Sequence, residues 1–398
     1  MSQAICKLQS TGITIDGAEG RVKPCCHFDS NKTFNIPDVS DIENFEQVLD
    51  SKLSKRIKKL TKKGILFQKE TEIIPQCNTC WDRERNKLQS RRNWYNTKLT
   101  GTGATVENLQ IALDYTCNLM CRICAPKHSS KWNSAKDVIK KLRTIYPEHP
   151  VYEANPIKQN YSENIKRVIQ NSDLTNLKTI ELIGGEPFYS KHFNWFIETI
   201  CEKCNPENIE FSTITNGTII PPKDILDKLL RFKCVNIKLS IDGLGPLAES
   251  TRHGVDWNTI DKNIHTWAKL HNKANTRQIE VRANPTVSIL NVNKLQEIID
   301  YFDDWKNITV APHGLEGPSW LCLEQIPIKI RKKWVPTYRH PYQNHQFKNI
   351  VLNDRVVENK LQRFLESTLV LDNHYGMAFK DCNPEMYETI ERLVNVEQ

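Results

Sequence analysis

The chain has no long apolar run. No segment approaches the roughly 18 apolar residues that a membrane-spanning helix needs, and Met1 to Ser10 lack the apolar core of a secretory signal. Internal repeats and low-complexity tracts are absent too, so the 398 residues fit one main domain with small appended modules better than several equal domains. Cysteine, by contrast, is plentiful, at 13. Without an export signal these thiols are expected to be reduced, in the cytoplasm, and available for metals or catalysis rather than for disulfides.

Three of them, Cys117, Cys121 and Cys124, form a C-x3-C-x2-C stretch at the exit of an apparent β-strand. A zinc knuckle usually takes four ligands, often as two C-x2-C pairs, and the next candidate here, His128, stands four residues further on. A cubane of four irons held by three thiolates keeps one iron open to another ligand, which is how a metal site does chemistry.

Lys178 to Ile183 reads as a buried strand entering the turn Gly184-Gly185-Glu186-Pro187. Glu210 to Ile214 leads into Thr215-Asn216-Gly217, and Val235 to Leu239 into Ser240-Ile241-Asp242-Gly243. Helical periodicity covers Phe193 to Lys203, Asp224 to Phe232, Trp257 to Leu270 and Val292 to Trp305, with further strands at Ile279 to Ser288 and Ile308 to Ala311. Alternating strands and helices predict an α/β fold with a parallel sheet, right-handed crossovers and ligands at the carboxyl ends of the strands. The expected architecture is a partial (β/α)6 barrel over residues 105–315. An N-terminal module (1–104) precedes it and a helical C-terminal extension (316–398) follows.

Taken together, the cysteine loop, the Gly-Gly-Glu-Pro turn and the two strand ends resemble the radical S-adenosylmethionine (SAM) superfamily. The likeness is strongest from Ala112 to Asn291, and one departure is Ile123, where an aromatic residue commonly precedes the third cysteine. It implies a 4Fe-4S cluster on Cys117, Cys121 and Cys124, with the methionine end of SAM on the open iron. It also implies SAM contacts from Gly184, Gly185, Glu186, Asn216, Ser240, Asp242 and Arg252, Ser240 and Arg252 serving the carboxylate and ribose. One-electron reduction then cleaves SAM to a 5'-deoxyadenosyl radical, which abstracts hydrogen from a substrate. A peptide or protein side chain is the first expectation, a carbohydrate-like alcohol the second, and flavodoxin or ferredoxin the reductant.

The amino end carries a second set of cysteines. Cys6 precedes Ile13-Thr14-Ile15-Asp16-Gly17, whose Asp-Gly pair predicts a hairpin returning through Arg21 to Pro24 and on to Cys25-Cys26. Cys77-Asn78-Thr79-Cys80 follows after a long gap. This block resembles the twitch and SPASM auxiliary-cluster modules of the same superfamily, although those usually follow the barrel and a full SPASM array has more cysteines. The resemblance implies a second 4Fe-4S cluster on Cys6, Cys25, Cys77 and Cys80, Cys25 being preferred to Cys26 because the family's Pro-Cys unit ends the second hairpin strand with its cysteine on the cluster face, while the adjacent residue points the opposite way. A structural zinc on the same four thiols is the alternative. Cys201 and Cys204, on a helix, and the isolated Cys234, Cys322 and Cys382 are read as packing residues.

Charge is uneven. Ser51 to Leu99 holds 14 Lys and Arg against 4 Asp and Glu, a net of +10 where the whole chain is +8. A solvated helix face explains such a region, and an anionic partner is the alternative, in the extreme a metal-bound nucleic-acid binder using Trp94 and Tyr95 for stacking. After Pro318 the pattern predicts helix near Ile328 to Trp334, a loop from Tyr338 to His345, helix from Val356 to Leu369 and a last helix ending at Val396. His340, His345 and His374 receive no role. Replacing Glu186 by Gln is expected to weaken SAM binding by about 1–3 kcal/mol, as a charge-assisted hydrogen bond becomes a neutral one. Equilibrium binding measures this, and unchanged affinity removes Glu186 from the SAM contacts.

Overall fold

The computed structural model describes residues 6–15, 20–28, 36–62, 77–85, 87, 89–101, 105–149, 152, 160–273, 279–305 and 308–396. The Asp16-Gly17 turn and the residues just before Cys77 lie outside them. Seven strands make one sheet in chain order: β1 (Gly12–Ile15), β2 (Asn108–Ala112), β3 (Thr179–Ile183), β4 (Glu210–Thr215), β5 (Cys234–Leu239), β6 (Ile279–Ala283) and β7 (Thr309–Val310). The pairs β1·β2, β2·β3, β3·β4 and β6·β7 run parallel. Parallel neighbours need a crossover, supplied by helices such as Tyr161–Asn171 before β3, Phe193–Lys203 before β4 and Trp257–Lys273 before β6.

Local patterning accounts for these elements. On β5, Val235, Ile237 and Leu239 are buried while Cys234, Asn236 and Lys238 are half-buried, the period-2 signature of a strand. Helix Phe193–Lys203 buries Phe193, Phe196, Ile197 and Ile200 along one stripe, and the extended backbone of Cys204 ends it.

Among the described residues, six strands of the main sheet, β2 to β7, occupy the span where six were expected. The seventh comes from the amino end. Gly12–Ile15, read from sequence as a hairpin arm, is also the edge strand of the main sheet, with Gly12 opposite Asn108 and Ile15 opposite Ile111. The hairpin return survives as a single antiparallel bridge, in which Thr14 and Lys23 exchange backbone hydrogen bonds of 2.7 and 2.8 Å. Cys25 is not on a strand: its carbonyl accepts the Phe28 N–H at 3.1 Å, so a turn aims its side chain.

Prolines explain two further differences. The strand expected over Ile279 to Ser288 stops at Ala283 because Pro285 has no N–H for the ladder, and Thr286–Val287 pairs instead with His313–Gly314. The loop expected over Tyr338 to His345 is mostly helix, Pro341–Val351, with Pro341 at the first helical position, where its missing N–H costs nothing. The following helix is Leu361–Tyr375, beginning after an exposed, irregular stretch around Val356.

The chain divides into two compact units, one of Met1–Tyr115, Pro156–Thr213 and Pro222–Val235, the other of Thr116–Asn155, Ile214–Pro221 and Asn236–Gln398. This partition interleaves along the sequence, unlike the three consecutive parts 1–104, 105–315 and 316–398. Among the described residues no helix is long and apolar enough to cross a membrane. Gly12 marks a tight approach, since a Cβ there would stand 2.5 Å from Pro24 O and 2.6 Å from Leu8 O. Gly12→Ala is expected to cost about 1–3 kcal/mol, the range for forced overpacking, read from the urea midpoint; an unchanged midpoint means that the hairpin return is not held against β1.

Candidate functional site

In the first unit, β3 delivers the Gly184-Gly185-Glu186 turn. Gly184 and Gly185 take φ values of 80° and 53°, and a Cβ on Gly184 would lie 2.5 Å from Ala112 Cβ, so both freedom and space demand glycine there. Glu186 is buried, and its Oε1 accepts the Phe188 N–H at 3.1 Å, capping the short helical turn Pro187–Tyr189. This bond fixes the side chain at the carboxyl end of β3.

The same unit gathers the amino-terminal thiols. Cys6, Cys25, Cys77 and Cys80 line one pocket, together with Gln9, His27, Phe28, Trp81, Arg91 and Arg92. Burial pushes the Cys6 thiol up to about 11 and that of Cys77 to about 12. Burial likewise raises Cys25 well above its usual range, with Cys6 and Cys77 adding to it. Gln9 Nε2 donates to Cys77 Sγ at 3.4 Å, and His27 Nδ1 lies 3.9 Å from Cys80 Sγ. Cys26 is not part of this lining.

Many cations of the basic segment have partners within the unit. Arg91 Nη2 meets Glu181 Oε2 on β3 at 2.9 Å, and Gln110 Nε2 on β2 reaches the same oxygen at 2.7 Å. Arg92 pairs with Glu84, Lys98 with Glu210, and Lys55 with Asp50 at 2.9 Å. Trp94 lies under Lys98 Nζ, 4.1 Å from its ring centroid, and Tyr95 is buried. Charge committed to the three buried or half-buried pairs of Arg91, Arg92 and Lys98 is not displayed for an anionic polymer, whereas the Lys55–Asp50 pair is exposed.

The second unit holds the other cysteines. Cys117 to Cys124 wrap a loop tied by Leu119 N–H to Cys117 Sγ (3.4 Å), Cys124 N–H to Cys121 O (3.1 Å) and Cys117 N–H to Ser130 Oγ (3.1 Å). At its centre, Met120–Cys121 pairs antiparallel with Arg252–His253, setting Cys121 opposite Arg252. Arg252 Nη1 lies 4.0 Å from Cys121 Sγ, and Nη2 lies 2.6 Å from Asp242 Oδ2. Asp242 is buried, and its Oδ1 accepts the Thr286 N–H at 2.7 Å. Burial raises the Cys121 thiol while the guanidinium opposes it; burial also works against the Arg252 charge, but Asp242 and Cys121 outweigh it. Asn216 Nδ2 donates to Asn118 Oδ1 at 2.9 Å, fastening the Thr-Asn-Gly turn to the cysteine loop. Ser240 is buried at the end of β5, its N–H on Thr215 O at 2.8 Å.

Sequence reasoning missed a clamp behind this loop. Arg122, between the second and third cysteines, is 1% exposed; it forms an ion pair with Asp372, and its Nε donates to Ser250 O at 2.8 Å. Tyr375, on the same helix as Asp372, donates to Met120 O at 2.7 Å and stacks on His253 with centroids 4.0 Å apart. The only sequence signal was the charge of Arg122 itself, which a buried loop cannot hold without a counter-charge.

Among the described residues no group of three or more His, Cys, Asp or Glu is arranged to hold a single metal ion. The donor chemistry fits iron–sulfur groups: one set of three thiols and one of four, with burial raising Cys6, Cys25, Cys77, Cys121 and Cys124, where metal would replace protons. Beside Cys121, Arg252 Nε is buried without a hydrogen bond among the described residues, a polar atom that a bound ligand could satisfy.

The model of the Radical SAM superfamily matches residues 114–302, and the match supports the superfamily that the motifs suggest. The radical SAM cyclopropyl synthase TigE of Paramaledivibacter caminithermalis is 26% identical over 226 residues, 55% of this chain and 42% of that protein. The chain thus spans less than half the length of this curated relative. Native anSMEcpe with bound AdoMet and Cp18Cys peptide aligns at TM-score 0.36 and 17% identity, covering 66% of this chain and 65% of that one. Streptococcus suis SuiB bound to S-adenosylmethionine aligns at 0.32 and 18%, covering 53% and 41%. TM-scores this low carry no argument about this chain.

The clamp makes a testable demand. Arg122→Met leaves the half-buried Asp372 without its counter-charge and is expected to cost about 3 kcal/mol, the low end of the range for breaking a buried pair, whereas Arg122→Met with Asp372→Leu recovers much of that loss. Urea unfolding of the single and double variants measures it; losses that simply add would mean that the two charges do not depend on each other.

Proposed function

We propose that this chain, whose residues 114–302 match the Radical SAM superfamily, is an enzyme that cleaves SAM reductively and modifies a peptide or protein side chain. Cys117, Cys121 and Cys124 would hold the 4Fe-4S cluster that receives SAM, and Cys6, Cys25, Cys77 and Cys80 a second, auxiliary one. When bound, the first cluster supplies one electron to the SAM sulfonium, giving methionine and a 5'-deoxyadenosyl radical that takes a hydrogen atom from the substrate. The observation that carries the reading is the Met120–Cys121 and Arg252–His253 ribbon, which brings a cysteine of the loop against a buried Arg–Asp pair.

The chain's own residues have separable roles in this reading. Arg252, positioned by Asp242, offers a guanidinium to a carboxylate or ribose. Glu186 accepts from a cationic amino group, and Gly184 and Gly185 let the backbone come close. Asn216 and Ser240 shape the strand tips, and Arg122, Asp372 and Tyr375 hold the cysteine loop rigid. A peptide substrate is preferred because members of the superfamily that carry auxiliary clusters often act on peptides. The electron would come from a flavodoxin or ferredoxin in reducing, cytoplasmic surroundings.

Anaerobic reconstitution tests the two-site arrangement. The unmodified chain is expected to hold about eight irons, and Cys77→Ala with Cys80→Ala about four, the double variant keeping SAM cleavage while losing turnover of the substrate. One zinc in place of the second four irons would contradict the auxiliary cluster, and complete loss of SAM cleavage in a folded double variant would contradict the division of labour.

A further inference from the structure

Among the described residues, the pocket of Cys6, Cys25, Cys77 and Cys80 contains one side-chain amide aimed at a sulfur. Gln9 is 4% exposed, and its Nε2 donates to Cys77 Sγ at 3.4 Å. The short helix Leu8–Thr11 that carries it is tied down around its length. Lys7 Nζ donates to Asn96 O and Leu99 O, both at 2.6 Å, Thr11 Oγ1 donates to Glu107 Oε2 at 3.1 Å, and Ser54 Oγ reaches Gln9 O at 3.5 Å. The two guanidinium groups of the lining have carboxylate partners, Arg92 on Glu84 and Arg91 on Glu181. Leu8 and Phe28 fill neighbouring parts of the wall with apolar surface. Burying an amide costs free energy unless it is hydrogen-bonded, and the Cys77 sulfur is one acceptor that offsets this cost.

We infer that Gln9 sets the reduction potential of the group held at this site, as a positioning residue outside the ligand set. The inference rests on the four-iron reading of these thiols. Accepting an electron makes such a group more negative, and an N–H directed at a ligating sulfur stabilises the more negative state, so the donor raises the potential. Removing the donor at similar volume lowers it without removing a ligand.

The test uses the full chain with Cys117, Cys121 and Cys124 replaced by Ala, so that only the amino-terminal site reports. After anaerobic reconstitution, an EPR-monitored redox titration compares Gln9 with Gln9→Met and Gln9→Leu. The expected result is an intact four-iron signal in all three and a lower midpoint in both variants. An unchanged midpoint with the signal intact overturns the inference alone. Loss of the signal in both variants also overturns it, because a tuning residue is dispensable for assembly. Zinc with no four-iron signal in the Gln9 protein overturns the cluster reading, and the inference with it.

Discussion

The two-residue ribbon joining Met120–Cys121 to Arg252–His253 is the contact on which the reading of this protein depends. A cysteine-rich loop has little intrinsic structure, and three thiols scattered along it could not present a defined face. Pairing Cys121 with Arg252 fixes the middle thiol and brings a cation to it. Asp242 fixes the cation, and the Thr286 N–H fixes Asp242. Each bond removes a degree of freedom that a ligand would otherwise have to remove on binding, which is the sense in which such a site is preorganised. The Arg122–Asp372 pair and the Tyr375 hydroxyl close the loop from behind.

The amino-terminal segment is part of the architecture rather than an attachment to it. Its strand β1 extends the parallel sheet, and the thiols cluster around the hairpin that begins with that strand. Glu107, just before β2, accepts hydrogen bonds from Thr11, Thr100 and Gly101, so the segment and the first strand of the expected barrel share one polar knot. Arg91 continues the connection by pairing with Glu181, three residues before the glycine turn. Part of the segment's basic character follows from this role: Arg91 and Lys98 meet Glu181 and Glu210 of the sheet, and Arg92 meets Glu84.

Much of this was legible in the sequence where the information is local. Ligand spacing in the cysteine loop, glycines at a turn requiring positive φ, and the alternation of β5 each announce themselves within a few residues. Partnerships over distance do not. Nothing near Arg122 names Asp372, 250 positions away, and a four-residue apolar stretch such as Gly12–Ile15 fits a hairpin arm as well as a sheet edge. The preference for Cys25 over Cys26 assumed a strand; Cys25 lines the pocket, but a turn puts it there. Two boundary errors had readable causes, Pro285 breaking a ladder and Pro341 opening a helix.

The central claim is that the loop of three cysteines is a site for reductive SAM cleavage. The most direct measurement is 5'-deoxyadenosine formed from SAM after anaerobic reconstitution with iron and sulfide and reduction by dithionite, compared with the same chain carrying Ala at positions 117, 121 and 124. Formation that depends on the three cysteines is the predicted result. A reconstituted, iron-loaded chain that yields no 5'-deoxyadenosine, or an Ala-substituted chain that yields as much, would contradict it.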